Sequence, residues 1–398
     1  MSNIILHIDL DAFFCRAEEI KFPFLEGKAF IVGGDGRKGI VSTCSYKARE
    51  YGIHSGMPTF QAKMLCKDLI IRPVDFEFYG LLSKEFVNYL KQYSDKVQQV
   101  SIDECFLDLT DFYRKNKTNI KTLLLKIQNE LFEKFKLKSS IGVGTTKFIA
   151  KMASDYKKPL GITIIRNKDI PTLLFPLPVK SFFGIGKKTY PKLQEIGINT
   201  IGDLYNECLN HNPKLISILG NYVEEIPLYL EGKSSDEIDS SYDDPKSIGM
   251  SRTLDYDTNN VDKIQQILNK EIDNVLNSLK KEGKFIKTIT ITYKNASHEE
   301  SFKTTSFSKS FKEFTKDEVY IRNEAIKLFN KTYNKEMIRL IGFSVKNFKN
   351  KSEVVTQMTF DDYKRHEQEN TSFLIINELN REVNKKLFIK CSDILKKD

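Results

Sequence analysis

Two acidic residues stand side by side in an otherwise apolar stretch of this sequence. Asp103 and Glu104 lie in QQVSIDECFLDLT (98–110), which has the pattern of a buried strand. Adjacent carboxylates repel each other, and both are costly to remove from water. One interpretation is a site that needs them; the alternative is a tight hairpin that Asp103 and Glu104 merely cap.

A third carboxylate favours a metal site. The apolar strand in HIDLDAFF (7–14) ends at Asp9. If this strand lies beside the acidic pair, three carboxylates converge at one sheet end, where two divalent cations would neutralise them, as in phosphoryl-transfer sites. The 6 cysteines and 5 histidines are dispersed without the spacing of a zinc site. Any metal would therefore have oxygen ligands, which favours Mg²⁺, Mn²⁺ or Ca²⁺.

The segment STCSYKAREYG (42–52) has the residues of an anion site. Tyr46 and Arg49 are three positions apart on a predicted short helix and share a face. Arginine binds phosphate through two parallel hydrogen bonds. Ser42 and Thr43 lie at the helix start, where free N–H groups attract anions. This predicts a triphosphate site, and the alternative is a capped surface helix with a solvated arginine.

Two lysines follow a glycine-containing strand in TTKFIAKMASDYKKPLG (145–161). Lys147 and Lys151 are four positions apart on a predicted helix and share a face. A lysine there could reach a β- or γ-phosphate, although the same spacing also fits an ordinary amphipathic helix.

The segment FFGIGKKTYPKLQEIGI (182–198) resembles a helix-hairpin-helix motif. Gly184 and Gly186 lie in its turn between short helical segments, next to Lys187 and Lys188. Backbone N–H groups of such a turn can contact a DNA phosphate without reading sequence.

Composition limits the class of protein. The chain has 398 residues, 40% hydrophobic and 29% charged, which predicts a soluble globular protein of two to four domains. No apolar run approaches the roughly 20 residues needed to cross a bilayer. The N-terminus has no basic segment and reaches a carboxylate at Asp9, so we expect no signal peptide and a cytoplasmic location.

The positive charge is concentrated in one segment. Of the net charge of +9, residues 245–355 carry +7, from 21 Lys or Arg and 14 Asp or Glu. A basic domain beside a near-neutral body indicates a polyanionic partner. The alternative is a general bias towards lysine.

The predicted elements describe an α+β protein with several domains. The first part has strands at 3–9, 28–32, 39–43, 96–102, 104–109 and 139–144, with helices at 45–51, 58–66, 76–93, 119–136 and 146–156. A second α/β part has the order β-α-β-β-α-β: strand 247–254, helix 259–281, strands 285–294 and 300–308, helix 315–332 and strand 336–348. This order predicts a ferredoxin-like module.

These segments together resemble the Y-family translesion DNA polymerases, most closely the bacterial DNA polymerase IV (DinB) type. The resemblance covers roughly residues 3–360. It depends on motifs that occur in the family's order: HIDLDAFF, VSTCSYKAREYGIHSGMP, VSIDECFLDLT, SIGVGTTKFIAKMASDYKKPLG, GIGKKTYPKLQEIGI and KSIGMSRTL. It implies a right-hand polymerase with palm, small fingers, helical thumb and ferredoxin-like little finger. The expected ranges are palm and fingers 1–166, thumb 167–232, linker 233–244, little finger 245–355 and C-terminal tail 356–398.

The resemblance implies a role for each motif residue. Asp9, Asp103 and Glu104 match the catalytic acids, and the Leu10 carbonyl would join them as a ligand of two Mg²⁺ ions, with Mn²⁺ as a substitute. The expected nucleotide contacts are Phe13, Phe14, Ser42, Thr43, Tyr46, Arg49 and Lys151. Phe14 matches the steric gate, a ring that would clash with a ribose 2′-hydroxyl. Ser42, a small residue over the nascent base pair, implies an error-tolerant site. Asp11 matches a frequent acid of the family and is left outside the catalytic set.

The resemblance also implies partners. Primer-template DNA would contact the hairpin and the little finger, and the expected residues are Gly184, Gly186, Lys187, Ser251, Arg252, Lys303 and Thr305. TQMTFDD (356–362) partly matches a sliding-clamp motif, with Gln357, Met358 and Phe360 as its contacts and Thr359 in place of a leucine. The substrates would be dNTPs. We expect a monomer that associates with the nucleoid.

Two other functions fit part of the sequence. Nucleotidyl cyclases also use a palm-like sheet, paired acids and two metals, and GGDG (33–36) resembles a motif of the diguanylate-forming enzymes. This motif, however, is remote in sequence from the acidic pair, and a cyclase needs no DNA-binding hairpin. A DNA-binding protein with an inactive palm is the non-enzymatic alternative, against which the intact acids and Arg49 argue.

Overall fold

The computed structural model describes residues 3–116, 119–235, 237–239, 245–296 and 304–353. The chain divides into two compact units, Met1–Pro245 and Lys246–Asp398. Across the described ranges, every helix is too short or too polar to span a bilayer. The predicted finer division, at 166/167 and 232/233, stays a prediction.

The first unit contains eight strands in the part of the chain that the structure describes. They are β1 Ile5–Leu10, β2 Phe30–Gly33, β3 Val41–Cys44, β4 Ile70–Arg72, β5 Val97–Gln99, β6 Glu104–Asp108, β7 Ser139–Gly144 and β8 Ile162–Ile164. Five of them form a sheet in the order β5-β6-β1-β7-β8, and the other three form a small sheet in the order β3-β2-β4. The predicted strands are found with ends displaced by at most three residues, whereas β4 and β8 were not predicted because each has only three residues.

Helices cover the sheets and form the rest of the unit. They are α1 Phe13–Lys21, α2 Tyr46–Arg49, α3 Thr59–Leu65, α4 Phe76–Leu90, α5 Thr110–Asn116, α6 Ile120–Phe135, α7 Lys147–Tyr156, α8 Ile170–Leu173, α9 Tyr190–Glu195, α10 Ile201–Leu209, α11 Pro213–Leu219 and α12 Tyr222–Leu230. The sequence did not predict α1 or α5. Helices α8–α12 share a separate apolar core with α7.

The central strand β1 is buried along its whole length. It pairs antiparallel with β6 on one side and with β7 on the other. Helix α7 packs directly on β7 at Gly142, where a Cβ atom would lie 2.1 Å from the Ala150 carbonyl oxygen. Only glycine permits this approach, which brings the α7 side chains close to the end of β1.

The second unit has the predicted β-α-β-β-α-β order. Its elements are β9 Ser247–Thr258, α13 Val261–Glu282, β10 Phe285–Asn295, β11 Thr304–Thr315, α14 Glu318–Thr332 and β12 Ile338–Lys349. The antiparallel sheet has the order β11-β10-β12-β9, so each β-α-β crossover leaves one strand between the two that it joins. The predicted helix start at 315 was wrong, because β11 continues to Thr315.

Helix α13 illustrates how local sequence sets these boundaries. The Asn260 side chain accepts a hydrogen bond from the Lys263 N–H at the helix start, and Gly283, with a φ of 65°, ends the helix. Ile264, Leu268 and other apolar residues at helical spacing bury one face against the sheet. Hydrophobic burial on one side leaves the opposite side of the sheet for polar side chains.

Candidate active site

Strand pairing brings the predicted acids to one end of the large sheet. Asp9 lies directly opposite Glu104 in the β1–β6 ladder, so the two side chains share a face. The Leu10 N–H donates to the Asp103 carbonyl at 3.0 Å. Asp9 and Asp103 line the same cleft. All three carboxylates therefore lie around the end of β1.

Two lysines neutralise this acidic cluster. Lys151 Nζ lies 3.3 Å from Asp9 Oδ2 and 3.0 Å from Glu104 Oε1. Lys158 Nζ lies 2.6 Å from the same Asp9 oxygen. Both ammonium groups also contact Asp155, at 3.4 and 2.8 Å. Buried acids need such partners, because an uncompensated buried charge is strongly destabilising.

His7 lies beneath the cluster and is fully buried. Its Nε2 lies 3.4 Å from Glu104 Oε2, and its Nδ1 lies 2.7 Å from Ser154 Oγ. Burial is the largest effect on the imidazole and lowers its pKa, which favours the neutral ring. The sequence analysis missed this contact, although His7 and Asp9 share one face of β1 by strand alternation.

The acids differ in proton affinity. Burial, and after it a hydrogen bond shared with Glu104, raise the pKa of Asp9 to about 7. Burial also acts to raise the pKa of Glu104, but hydrogen bonds with His7 and Asp9 and the charge of Lys151 hold it below its ordinary value. Burial raises the pKa of Asp103 despite a hydrogen bond from Ser101 Oγ. Of the three carboxylates, Asp9 is therefore the one whose pKa lies near neutral pH.

The acids supply the donor set for a metal. Three carboxylates offer only oxygen atoms, which Mg²⁺ and Mn²⁺ prefer. Within the described ranges, no three acidic, histidine or cysteine side chains already have a metal-holding arrangement. Instead, the ammonium groups of Lys151 and Lys158 contact the carboxylate oxygens. The donor set fits hard divalent cations, since they would supply the positive charge that the lysines supply here.

Most of the predicted nucleotide contacts line one cleft of about 220 Å³ next to Asp9. Its walls include the following predicted residues: Leu10, Phe13, Phe14, Ser42, Thr43, Tyr46 and Arg49. Lys151 is the exception, because it lines a neighbouring cavity of about 440 Å³ together with Glu104. Lys147 is directed elsewhere, with its Nζ donating to Gln98 Oε1 at 3.2 Å and to the Glu237 carbonyl at 2.8 Å.

Lys158 is a charged cleft residue that sequence reasoning missed. It lines the same cleft as Tyr46 and Arg49 and contacts Asp9. The ammonium group of Lys158 is therefore on the nucleotide side of the acids, whereas that of Lys151 is on the other side. The motif TTKFIAKMASDYKKPLG contained the signal, but helical spacing singled out only Lys147 and Lys151, and Lys158 lies just beyond the helix end.

The small-sheet side of the cleft is ordered by an aromatic–cation contact. The Arg49 guanidinium lies 4.6 Å from the centre of the Tyr46 ring. Ser45 caps helix α2 by accepting the Ala48 N–H. Cation–π contact and a fixed helix start limit the orientations of both side chains.

Phe14 lies on α1 and is half-buried. Its ring stacks on Tyr79 with centroids 4.6 Å apart and meets Phe76 edge-on at 5.9 Å. The Tyr79 hydroxyl in turn donates to Glu18 at 2.8 Å. These contacts hold the Phe14 ring at the cleft wall, next to Phe13.

The hairpin between Val179–Ser181 and α9 adopts a tight turn. Gly184 has a φ of 107°, and a Cβ there would lie 2.7 Å from the Tyr222 hydroxyl. At Gly186, no described residue beyond its chain neighbours lies within 4 Å of such an atom. Ile185 anchors the turn in the core, while Lys187 is exposed.

The expected DNA contacts of the second unit lie on different faces of its sheet. Ser251 pairs with Gly342, on the face that α13 and α14 leave uncovered. Arg252 pairs with the buried Ile341, and its Nε donates to Glu271 of α13 at 2.9 Å. Thr305 pairs with Tyr293 of the core. The side chains of Arg252 and Thr305 therefore lie on the helix-covered face of the sheet. Their expected DNA contacts stay predictions.

Four other predicted residues fall outside the described ranges: Lys303, Gln357, Met358 and Phe360. Their predicted contacts stay predictions. In the part of the chain that the structure describes, the five cysteines are buried and form no disulfide, as expected for reduced packing residues.

Three family models match the chain. They are the impB/mucB/samB family over residues 8–155, its helix-hairpin-helix motif over 167–198 and its C-terminal domain over 245–360. DNA polymerase IV of Bacillus velezensis is 34% identical over 100% of this chain and 94% of its own length. DNA polymerase IV 2 of Methanosarcina mazei is 33% identical over 90% of this chain and 95% of its own length.

Solved structures agree with these relatives. A Y-family DNA polymerase chimera of Dbh and Dpo4 is 28% identical, with a TM-score of 0.76, and covers 87% of this chain and 99% of its own. An insertion ternary complex of Dbh DNA polymerase is 29% identical, with a TM-score of 0.61 and the same coverage. Sequence, fold and site geometry therefore agree that this chain belongs to the Y family of DNA polymerases.

Proposed function

We propose that this chain is a DNA-directed DNA polymerase that extends a primer 3′-hydroxyl with dNTPs in low-fidelity, translesion synthesis. The family supports the activity. The observation that carries the residue assignment is the cleft at the end of β1, which has acids on one wall and Tyr46 and Arg49 on another. Such a cleft suits transfer of a nucleotidyl group, a reaction that depends on positioning and charge stabilisation.

Asp9, Asp103 and Glu104 are the proposed catalytic acids and, with the Leu10 carbonyl, the proposed ligands of two Mg²⁺ ions, for which Mn²⁺ can substitute. When bound, the ions would lower the pKa of the primer 3′-hydroxyl and stabilise charge on the leaving pyrophosphate. The carboxylates would hold the ions, and Asp9 would have to be deprotonated to do so. His7 contacts the Glu104 oxygen that faces away from Lys151.

The triphosphate is proposed to bind across the cleft. Arg49, Tyr46 and Thr43 would contact it from the small-sheet side, and Lys158 from the acidic side. Lys151 balances the charge of Asp9 and Glu104 from the other side of the acids, and its expected contact with the triphosphate stays a prediction.

Substrate selection is assigned to the cleft walls. The Phe14 ring, held by Tyr79, would exclude a ribose 2′-hydroxyl. Phe13 packs beside it. Ser42 offers little steric restriction over the nascent base pair, which suits error-tolerant synthesis.

Primer-template DNA is the proposed macromolecular partner. The turn at Gly184, Gly186 and Lys187 would contact a phosphate, and the basic second unit would contact the backbone through many weak, salt-sensitive interactions. Clamp binding through the 356–362 motif, a monomeric state and a cytoplasmic, nucleoid-associated location are proposed on the resemblance alone.

The test is primer extension on an undamaged template with Mg²⁺ and all four dNTPs. Wild type and Asp103→Ala are compared, with Asp111→Ala as the matched control, because Asp111 is an exposed acid on α5. Extension by wild type and the control, and none by Asp103→Ala, is expected. No extension by any of them would contradict the proposal and would direct the assay to cyclic products from free nucleotides.

A further inference from the structure

Asp11 is a buried acid outside the proposed metal site. It is 4% exposed and lies between β1 and α1. Its Oδ1 accepts hydrogen bonds from Ser140 Oγ at 2.8 Å and from the Tyr46 hydroxyl at 3.3 Å. Its Oδ2 accepts the Leu160 N–H at 2.9 Å. Donors on both oxygens hold the carboxylate in one orientation.

The three donors belong to different parts of the first unit. Ser140 lies on β7 of the large sheet, and Tyr46 begins α2 beside the small sheet. Leu160 lies in the loop between α7 and β8. One carboxylate therefore joins the central sheet to both walls of the cleft.

The hydrogen bond between Asp11 and Tyr46 also affects the orientation of Arg49. The Arg49 guanidinium rests on the Tyr46 ring at 4.6 Å, so an ordered phenol gives an ordered guanidinium. Burial raises the pKa of Tyr46 to about 12, and the Asp11 charge adds to this shift. The phenol thus remains a hydrogen-bond donor to Asp11.

The contact to Leu160 orders the loop that carries Lys158. Leu160 has a φ of 61°, a conformation that is costly for a residue with a side chain. The hydrogen bond from its N–H to Asp11 compensates part of that cost. Lys158, two residues earlier, then projects into the cleft towards Asp9.

We propose that Asp11 is a positioning residue for the triphosphate. It orders Tyr46 with Arg49 on one wall of the cleft and the Lys158 loop on the other. The inference rests on the proposed function, which assigns those three side chains to the triphosphate. Removing the carboxylate is expected to weaken nucleotide binding more than it slows chemistry or weakens DNA binding.

The test is single-nucleotide insertion kinetics on Asp11→Asn and Asp11→Ala. For Asp11→Ala we expect KM for the dNTP to rise about tenfold, with kcat within about threefold and DNA affinity unchanged. The KM of Asp11→Asn is expected to lie between the values for Asp11→Ala and wild type, since the amide oxygen of asparagine can still accept from Ser140 and Tyr46. Asp108→Asn is the matched control, because Asp108 accepts the Thr110 N–H at 2.9 Å remote from the cleft. Its KM is expected to equal that of wild type.

A double-mutant cycle separates positioning from general destabilisation. In a Tyr46→Phe background, Asp11→Ala is expected to raise KM less than it does in the wild-type background, because the contact between the two side chains is already lost. Equal effects in both backgrounds, or a KM within twofold of wild type for Asp11→Ala, would overturn the inference. The inference would also be overturned if kcat, DNA affinity and melting temperature all fell together in Asp11→Ala, because that pattern indicates general destabilisation.

A second measurement keeps this inference distinct from the proposed function. The rise in melting temperature with dATP and Mg²⁺ reports nucleotide binding without turnover. If wild type inserts no nucleotide, the polymerase assignment fails, and this shift alone decides the role of Asp11. A smaller shift in Asp11→Asn than in wild type is expected, and an equal shift would overturn the inference.

Discussion

The end of β1 and the uncovered face of the second unit's sheet both carry polar side chains, but they hold them differently. At β1, Asp9 is 7% exposed and contacts two ammonium groups. On the other sheet, threonines of β10 pair with serines of β11, and every pair is neutral. We name this second set the hydroxyl face: Thr288–Ser310, Thr290–Ser308 and Thr292–Ser306, with oxygens 2.8–2.9 Å apart.

The difference follows from what each region must bind. Chemistry needs a few groups in fixed places, and burial strengthens their electrostatic interactions. Binding a regular polyanion of any sequence needs many similar contacts, each of them weak. A substitution at β1 should therefore have a large effect on rate, and one on the second sheet should have a small, graded effect on affinity.

The largest effect is expected for Glu104→Gln. It removes a negative charge from the proposed metal site and from the contacts with Lys151 and His7. We expect the single-turnover insertion rate to fall by at least about 10³-fold, with DNA affinity within about twofold. The matched control is Glu130→Gln on α6, where the acid pairs with Lys134 at the surface. A rate within tenfold of wild type would remove Glu104 from the catalytic set.

The next effect concerns sugar selection. Phe14→Val replaces the ring that Tyr79 holds at the cleft wall with a smaller aliphatic side chain. We expect the ratio of kcat/KM for a ribonucleotide to that for a deoxynucleotide to rise roughly 100-fold. Phe24→Val, at an exposed ring, should leave the ratio unchanged. Unchanged discrimination in Phe14→Val would contradict the steric-gate assignment.

A smaller effect is expected from pH. Burial raises the pKa of Asp9 to about 7, so below this pH a metal must displace a proton from Asp9. Affinity for Mg²⁺, measured by calorimetry without DNA, should therefore rise up to about tenfold per pH unit until pH 7 and then level off. Asp9→Asn should bind Mg²⁺ weakly and lose this dependence. A pH-independent affinity in wild type would show that Mg²⁺ binding displaces no proton from Asp9.

The smallest effect is expected on the second sheet. Lys346 pairs with Thr288 and is exposed on the same side as the hydroxyl face. For Lys346→Gln we expect a few-fold weaker DNA binding and a log K against log salt slope reduced by about one. Lys280→Gln on α13, an exposed lysine on the covered side, should change neither. Equal effects of both variants would contradict the distinction between the two faces.

Much of the active site could be predicted from sequence because its signals are local. Asp9 follows an apolar strand, and the Asp103–Glu104 pair begins another, so pairing of the two strands was enough to bring the acids together. The order of elements in the second unit was predicted correctly for the same reason. Asn260, Gly283 and the apolar positions between them specify α13 locally.

The contacts that depend on folding could not be predicted in this way. Lys158 enters the cleft through a loop whose backbone is set by Asp11, which is 149 positions from Leu160. His7 contacts Ser154 across 147 positions. Strand alternation, by contrast, could have placed Arg252 and Thr305, since Arg252 is two positions from the core residue Leu254 and Thr305 is two from Phe307. Treating each motif as a continuous contact surface overlooked this alternation.

The paired hydroxyls of the hydroxyl face have a consequence for movement along DNA. In each pair either oxygen can be the donor. When the threonine donates to its serine partner, the hydrogen of the exposed serine is available to an outside acceptor. Rotation about the C–O bonds of both hydroxyls exchanges the donor and acceptor roles without moving the backbone. A polymerase must advance by one base pair after each insertion, and a surface that renews its hydrogen bonds by such rotations would offer little friction to that step.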